Sequence, residues 1–374
     1  MKPISTPFYT KLAFVLISIL ALGYLLIQGK DILAPLIFSF LFAILLLPLA
    51  NFLENKCHLP FSISAILSVL LLITFVVIIM LLLGNQLAGL ADDWPLLKRN
   101  ILTTSNQFQR WISTTFHINT AKQLKYINTA TNNILFSSTA VISATVISLS
   151  SIVIFNVFTL VYTLLLLLYR RLLLRFLLAI FREENAAVVK EIAEQVKYII
   201  GKYIVGILIE MGIVIALSCG AYWALGVNYF LLLGMITGLL NLIPYIGILT
   251  ALIISAVINF TTGGVHQTVY LIITAVLIHL VDSNFIMPKI VGSKVRINPL
   301  IIILGVLTGE NIWGISGMFL SIPVIAIIKI ICDRIESLKP WGILLGADEQ
   351  KEKRHLLLNR LKRMKAFNKI AKTD

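Results

Sequence analysis

Long apolar runs separated by short polar segments dominate the chain. About 20 apolar residues cross a bilayer core as a helix, and runs of that kind occupy 12–28, 32–50, 61–84, 138–168, 203–226 and 267–288. Two further apolar stretches, 228–259 and 299–332, are interrupted in the middle by polar residues, Gly and Pro. Between the third and fourth runs lies a polar segment of helical character, 85–137, carrying Asp92, Asp93, Trp94, Lys98, Arg99 and Trp111. It is too polar to face lipid and too short for a large independent domain, which predicts a small helical extracytoplasmic insertion.

Composition turns this pattern into a class. Of 374 residues, 59% are hydrophobic and 13% charged, with a mean hydropathy of +0.96. A soluble domain is about half apolar and about a quarter charged, so a water-soluble enzyme, a disordered tail protein and a fibrous repeat are all excluded. The net charge of +14 then becomes a question of sidedness rather than of nucleic acid. Lys and Arg concentrate in 169–202, in 289–298 and from 333 onward. By the positive-inside rule these three segments are cytoplasmic, which puts 85–137 outside and both termini inside. No small-residue cleavage signature follows the first apolar run, so it reads as a retained helix.

Parity makes the two interrupted stretches informative. If 289–298 and the tail are both inside, 299–332 must leave and return on one side, and 228–259 must do so on the other. They have 32 and 34 residues, enough for two arms of about 24 Å, just short of a full crossing. The breaks fall mid-stretch: Asn241, Pro244, Tyr245 and Gly247 in LNLIPYIG (240–247), and Thr308, Gly309, Glu310 and Asn311 in TGENIWGISG (308–317). The expected fold is an all-α polytopic membrane protein with six full spans and two oppositely oriented re-entrant helical hairpins. Both first arms carry LGxxTG, at 233–238 and 304–309. Small residues four apart also serve helix packing, but paired interrupted segments in opposed halves point to the binding site of a secondary transporter.

Three acids fall inside apolar stretches: Glu210, Asp282 and Glu310. A carboxylate at membrane depth costs a few kcal/mol on insertion scales and marks a pathway or finds a partner. Asp282, in HLVDSNFIMPK (279–289) with Ser283 and Asn284, is the sharpest case, because a carboxyl there can exchange a proton with substrate or ion. Glu210 comes early in its span and reads as a group near the interface. His279 reads as a packing or hydrogen-bonding residue, since no second His is spaced to share a metal.

Other chemistries lack support. Cys57, Cys219 and Cys332 are far apart and form no CxxC pair, so they read as small apolar residues, and no metal or cofactor is expected. No GxxxxGK[ST] string occurs, leaving ion or substrate gradients as the energy source. Gly314-Ile315-Ser316-Gly317 matches the GxSG of rhomboid proteases, but His279 precedes the serine, the reverse of that family's order. An aspartyl protease needs two opposed aspartates, and Asp282 is the one Asp in a span. The expectation is therefore not an enzyme. The tail 351–372 and segment 169–182 are basic and amphipathic, which suits anionic lipid better than nucleic acid.

LLNLIPYIG (239–247), DSNFIMPKIVG (282–292), Asn298-Pro299 and GISGMFLSIP (314–323), in this order, resemble the signature of the autoinducer-2 exporter family of bacterial inner-membrane proteins. The acid before Asn284 is more typically Glu in that pattern. The resemblance implies a transporter exporting a small polar solute, with Na⁺(Li⁺)/H⁺ antiport as the alternative, and a homo-oligomer, a pentamer among its candidate states. It gives a division into scaffold helices (1–84), insertion (85–137), long helix and basic segment (138–202), transport region (203–332) and basic tail (333–374). The pathway residues expected are Asn241, Pro244, Tyr245, Gly247, Asp282, Asn284, Thr308, Gly309, Glu310 and Asn311, serving a small polar solute or a monovalent cation or proton. A reading of another class is an oligomeric scaffold that transports nothing and binds lipid through its basic tail.

Overall fold

The computed structural model describes residues 7–93, 153–243, 246–290 and 297–347. Of the features expected above, most of the insertion (94–137), the first part of the fourth run (138–152), Pro244, Tyr245 and the tail from 348 onward lie outside the described residues. Within them the chain is helical: α1 (Phe8–Gln28), α2 (Lys30–Asn55), α3 (Phe61–Asp92), α4 (Val153–Leu168), α5 (Arg170–Ile180), α6 (Glu183–Ala224), α7 (Phe230–Leu240), α8 (Ile246–Val281), α9 (Pro299–Trp313), α10 (Ile315–Arg334) and α11 (Lys339–Leu345). Among the described residues, five helices are long and apolar enough to cross a bilayer, or six if α4 and α5, bent by 72°, count as one span. This is a multi-pass membrane protein.

Several boundaries differ from those expected. No Pro interrupts 85–92, so α3 continues through Asp92 as one helix. The basic segment and the fifth apolar run merge into α6, 42 residues long, or about 63 Å, twice the thickness of a bilayer core. The 228–259 stretch does break, between α7 and α8, and its second arm runs on to a corner at Gly264, whose φ is +75°. Asn259 and Thr268 would stand about 13.5 Å apart along a straight helix, yet the Asn259 amide donates to the Thr268 hydroxyl at 3.2 Å.

The last two long helices form a tight antiparallel pair. Asn298 caps α9 by accepting from the Leu300 N–H at 3.0 Å, with Pro299 in the first turn, where a missing donor costs nothing. The chain turns back at Gly314, with φ +63°. A Cβ on Gly317 would stand 1.9 Å from the Gly309 carbonyl oxygen, and one on Gly305 would stand 2.3 Å from Ile325 Cδ1. In the other LGxxTG, a Cβ on Gly234 would strike Cys219 and one on Gly238 would strike Ile215. The shared motif thus sets close helix approach in both places: α7 onto α6, and α9 onto α10. The arms are unequal, since α10 alone has 20 residues and α9 has 15.

A central apolar cluster joins α2, α6, α9 and α10 through Leu41, Ile200, Ile204, Trp313, Leu320 and Ile330. Phe38 stacks on Phe319 at 5.5 Å. Trp313 donates its indole N–H to the Leu26 carbonyl at 2.8 Å, tying the turn of the α9–α10 pair to α1. A second cluster, around Leu46, Val69 and Leu167, holds α2, α3 and α4 together.

Ionic contacts gather where α2, α4 and α10 end and α6 begins. Arg170 and Arg171 both reach Glu54, at 2.6 and 3.0 Å, and Arg334 reaches Glu191 at 2.8 Å. At the ends of α3 and α6, the Tyr229 hydroxyl donates to Asp93. Burial, and then the Asp93 carboxylate, push the Tyr229 phenol up to about 12, so it stays a donor.

Candidate functional site

Two of the three acids placed inside apolar runs meet at one side chain. Asn241 follows the last turn of α7, and its amide nitrogen stands 3.1 Å from Asp282 Oδ2 and 3.5 Å from Glu210 Oε1. One amide nitrogen carries two hydrogens and so can serve two acceptors. Glu210 is 8% exposed and Asp282 4%, so both carboxyls sit inside the helix bundle. Glu210, expected near the membrane interface, lies on the buried stripe of α6 formed by Tyr203, Ile207, Val214 and Ser218.

The local chain explains the placement. After Leu240 the helix stops, and Gly247, whose Cβ would lie 1.7 Å from the Leu240 carbonyl oxygen, lets α8 start against the end of α7. At Asp282 the helix widens into one π-helical turn, Asp282–Ile286, with the Met287 N–H bonding back to the Asp282 carbonyl. Pro288 accounts for this: its ring would clash with the carbonyl four residues back, and the wider turn moves that carbonyl aside.

A cavity of about 150 Å³ opens beside the acids. Tyr222, Thr237, Asn241, His279 and Asp282 supply its polar groups, and Val214, Leu252 and Ala275 its apolar walls. Asp282 Oδ1 and His279 Nδ1 are buried with no hydrogen-bond partner among the described residues. Buried polar atoms are almost always satisfied, by protein groups or by ordered water. Both His279 and Asp282 line the cavity. Among the described residues, no three His, Cys, Asp or Glu side chains gather as a metal site.

The other expected pathway residues are dispersed. Asn284 is exposed and bonds to the Leu280 carbonyl at 2.8 Å. Thr308, Glu310 and Asn311 are exposed on α9, and Gly309 is taken up by its contact with Gly317. The first break packs on the α9–α10 pair through apolar groups: Leu240 and Ile243 meet Val306 and Met318.

These features define a polytopic helical protein with a carboxylate-lined cavity where a broken helix ends. The model of the AI-2E family of transporters matches residues 12–337, and the chain belongs to that family. Two similar proteins of Bacillus subtilis bear the name "putative transport protein": YrrI, 29% identical over 150 residues (40% of this chain, 41% of that one), and YueF, 26% identical over 156 residues (41% of each). YhhT of Escherichia coli, named likewise, is 24% identical over 129 residues, 34% of this chain and 37% of its own. The chain spans about two fifths of the length of these relatives.

Proposed function

We propose that this protein is a secondary transporter of the bacterial inner membrane, moving a small polar solute outward by alternating access, with Glu210, Asn241 and Asp282 as its coupling site. The observation that carries this is the convergence of two buried carboxyls on Asn241 beside a cavity with unsatisfied polar atoms. Two carboxylates sharing a site repel, and one proton or one monovalent cation between them relieves the repulsion. A guest that arrives with that ion, or displaces it, is thereby coupled to its gradient. The same pair favours the second reading, Na⁺(Li⁺)/H⁺ exchange, in which the cation is itself the cargo.

In this reading α7 with the first arm of α8, and α9 with α10, act as the two oppositely oriented re-entrant hairpins. The contact of Ile243 with Val306 and Met318, between the first break and the α9–α10 pair, supports a joint at which the transport region moves against the N-terminal helices. The end bearing Arg170, Arg171, Arg175 and Arg334 faces the cytoplasm by the positive-inside rule. We place the remaining polar tip residues, Thr308, Glu310 and Asn311, on the route to the site, and the chain in a homo-oligomer.

The test is flux in proteoliposomes with a panel of monovalent cations and a furanosyl signal molecule, joined to thiol labelling of Thr237→Cys in the cavity wall. The expected result is gradient-driven flux of one member of the panel, with labelling by a small polar reagent. A packed scaffold gives neither flux nor labelling.

A further inference from the structure

A second, larger cavity lies away from the carboxylate site. It measures about 1020 Å³ and is walled by α2, α4, α5, α6 and the end of α10. That volume is at the top of the ~300–1,000 Å³ range of small-molecule sites. Its chemistry changes along its length. Phe40, Ile44 and Leu47 of α2 line one part, and Asn51, Glu54 and Asn55, further along the same helix, line the other. From Phe40 to Asn55 is about 22 Å of helix rise, close to the depth of one bilayer leaflet and its headgroup layer.

The polar part is net positive. Arg170, Arg171 and Lys197 line it together with the single acid Glu54. Glu54 accepts one contact from each arginine, and Arg170 also donates to Asn51 at 3.0 Å. A guanidinium carries five N–H donors, so these contacts leave donors over for an anion. The apolar part is continuous with lipid-facing surface, since Leu173 and Leu174 line the cavity yet are 43% and 42% exposed. α5, amphipathic and turned 72° from α4, lies as a helix in the interface plane does. Apolar walls open to lipid, ending at a basic cluster at headgroup height, match an acyl chain and an anionic head.

We infer that this groove is a binding site for an anionic phospholipid, with its acyl chains along Ile44, Leu47, Leu173 and Leu177 and its phosphate at Arg170, Arg171 and Lys197. The lipid wedges between α2 and α6, and so between the N-terminal helices and the helix that carries Glu210. The like charge of the basic tail makes that tail a poor occupant of the basic end. This site stands whether or not the carboxylate site couples transport.

The experiment uses the full chain in phosphatidylcholine nanodiscs doped with phosphatidylglycerol bearing a photoactivatable diazirine on its acyl chain, with cross-links mapped by mass spectrometry. Label is expected on Leu47, Leu173 and Leu177, competed by unlabelled phosphatidylglycerol at least about fivefold better than by phosphatidylcholine, the effect of about one basic contact. Lipid-exposed α1, around Leu16, Ile17 and Leu20, is the internal control and shows no headgroup preference. Val189→Trp, which fills the groove, removes the groove label and spares α1. Should that variant not fold, Arg171→Glu with Lys197→Glu, both exposed positions, abolishes the preference for phosphatidylglycerol. Groove labelling with the same headgroup indifference as α1 overturns the proposal. So does recovery of a peptide from a second copy or from the chain's own tail cross-linked at Leu177.

Discussion

Asn241 Nδ2 stands 3.1 Å from Asp282 Oδ2, joining the end of α7 to the π-helical turn that follows α8. Glu210 approaches the same nitrogen from α6. Three helices therefore meet at one polar point, and the side chain at that point is an amide that can donate to both acids while carrying no charge.

Replacing that amide tests its bridging role. Asn241→Leu leaves two buried carboxyls without their shared donor, and a lost hydrogen bond to a charged group costs about 1.5–3 kcal/mol. Flux is expected to fall at least about tenfold, the equivalent of about 1.4 kcal/mol, in protein that still elutes as a folded species. Asn241→Gln, which keeps the amide, is expected to retain more flux than Asn241→Leu.

The glycine contact between α9 and α10 gives a prediction about stability alone. Gly317→Ala places a methyl group 1.9 Å from the Gly309 carbonyl oxygen, and backbone on both sides cannot rotate away. Such overpacking costs about 1–3 kcal/mol. The variant is expected to lose thermal stability in detergent, whereas Gly23→Ala, where nothing lies within 4 Å, leaves the melting temperature unchanged.

The π-helical turn predicts a positional effect. Pro288→Ala removes the ring that forces the wider turn, and an ordinary α-turn in its place rotates Asp282 relative to the helix that follows. Thermal stability is expected to hold or rise while flux falls, a split that separates geometry from folding. Equal loss of both would show that Pro288 serves folding only.

The Tyr229–Asp93 contact should be insensitive to physiological pH. The phenol titrates at about 12 in the folded chain against 10 ordinarily. A raised value means that its contribution is complete below about pH 10 and is lost as pH rises through about 12. The stability difference between the protein and Tyr229→Phe is thus expected to stay constant from pH 6 to pH 9, as read from thermal melts across that range.

Much of this fold was legible in the apolar runs, because crossing a bilayer demands about 20 such residues in a row. The breaks at 241–247 and at Gly314 were legible for the same reason in reverse, since Pro and Gly at membrane depth have few uses. Asp282 stood out as a charge in an apolar run. The burial of Glu210 was not legible, because its distance from the start of the apolar run was weighed and its helical face was not. The spacing Tyr203, Ile207, Glu210, Val214, Ser218 places it on one buried stripe. The exposure of Thr308 and Asn311 was not legible for a like reason: Val306 and Trp313, seven residues apart and both buried, fix the inner face of α9 and leave those two exposed. The corner at Gly264 and the lipid-sized groove arise from how helices meet, which no local pattern encodes.

The most direct test of the central claim is gradient-driven flux in proteoliposomes, compared between the protein and the double variant Glu210→Gln with Asp282→Asn. The account predicts that flux in the protein follows an imposed pH or cation gradient, and that the double variant, still folded, loses that dependence. Flux in the double variant at the same rate and with the same pH profile as the unaltered protein would contradict it.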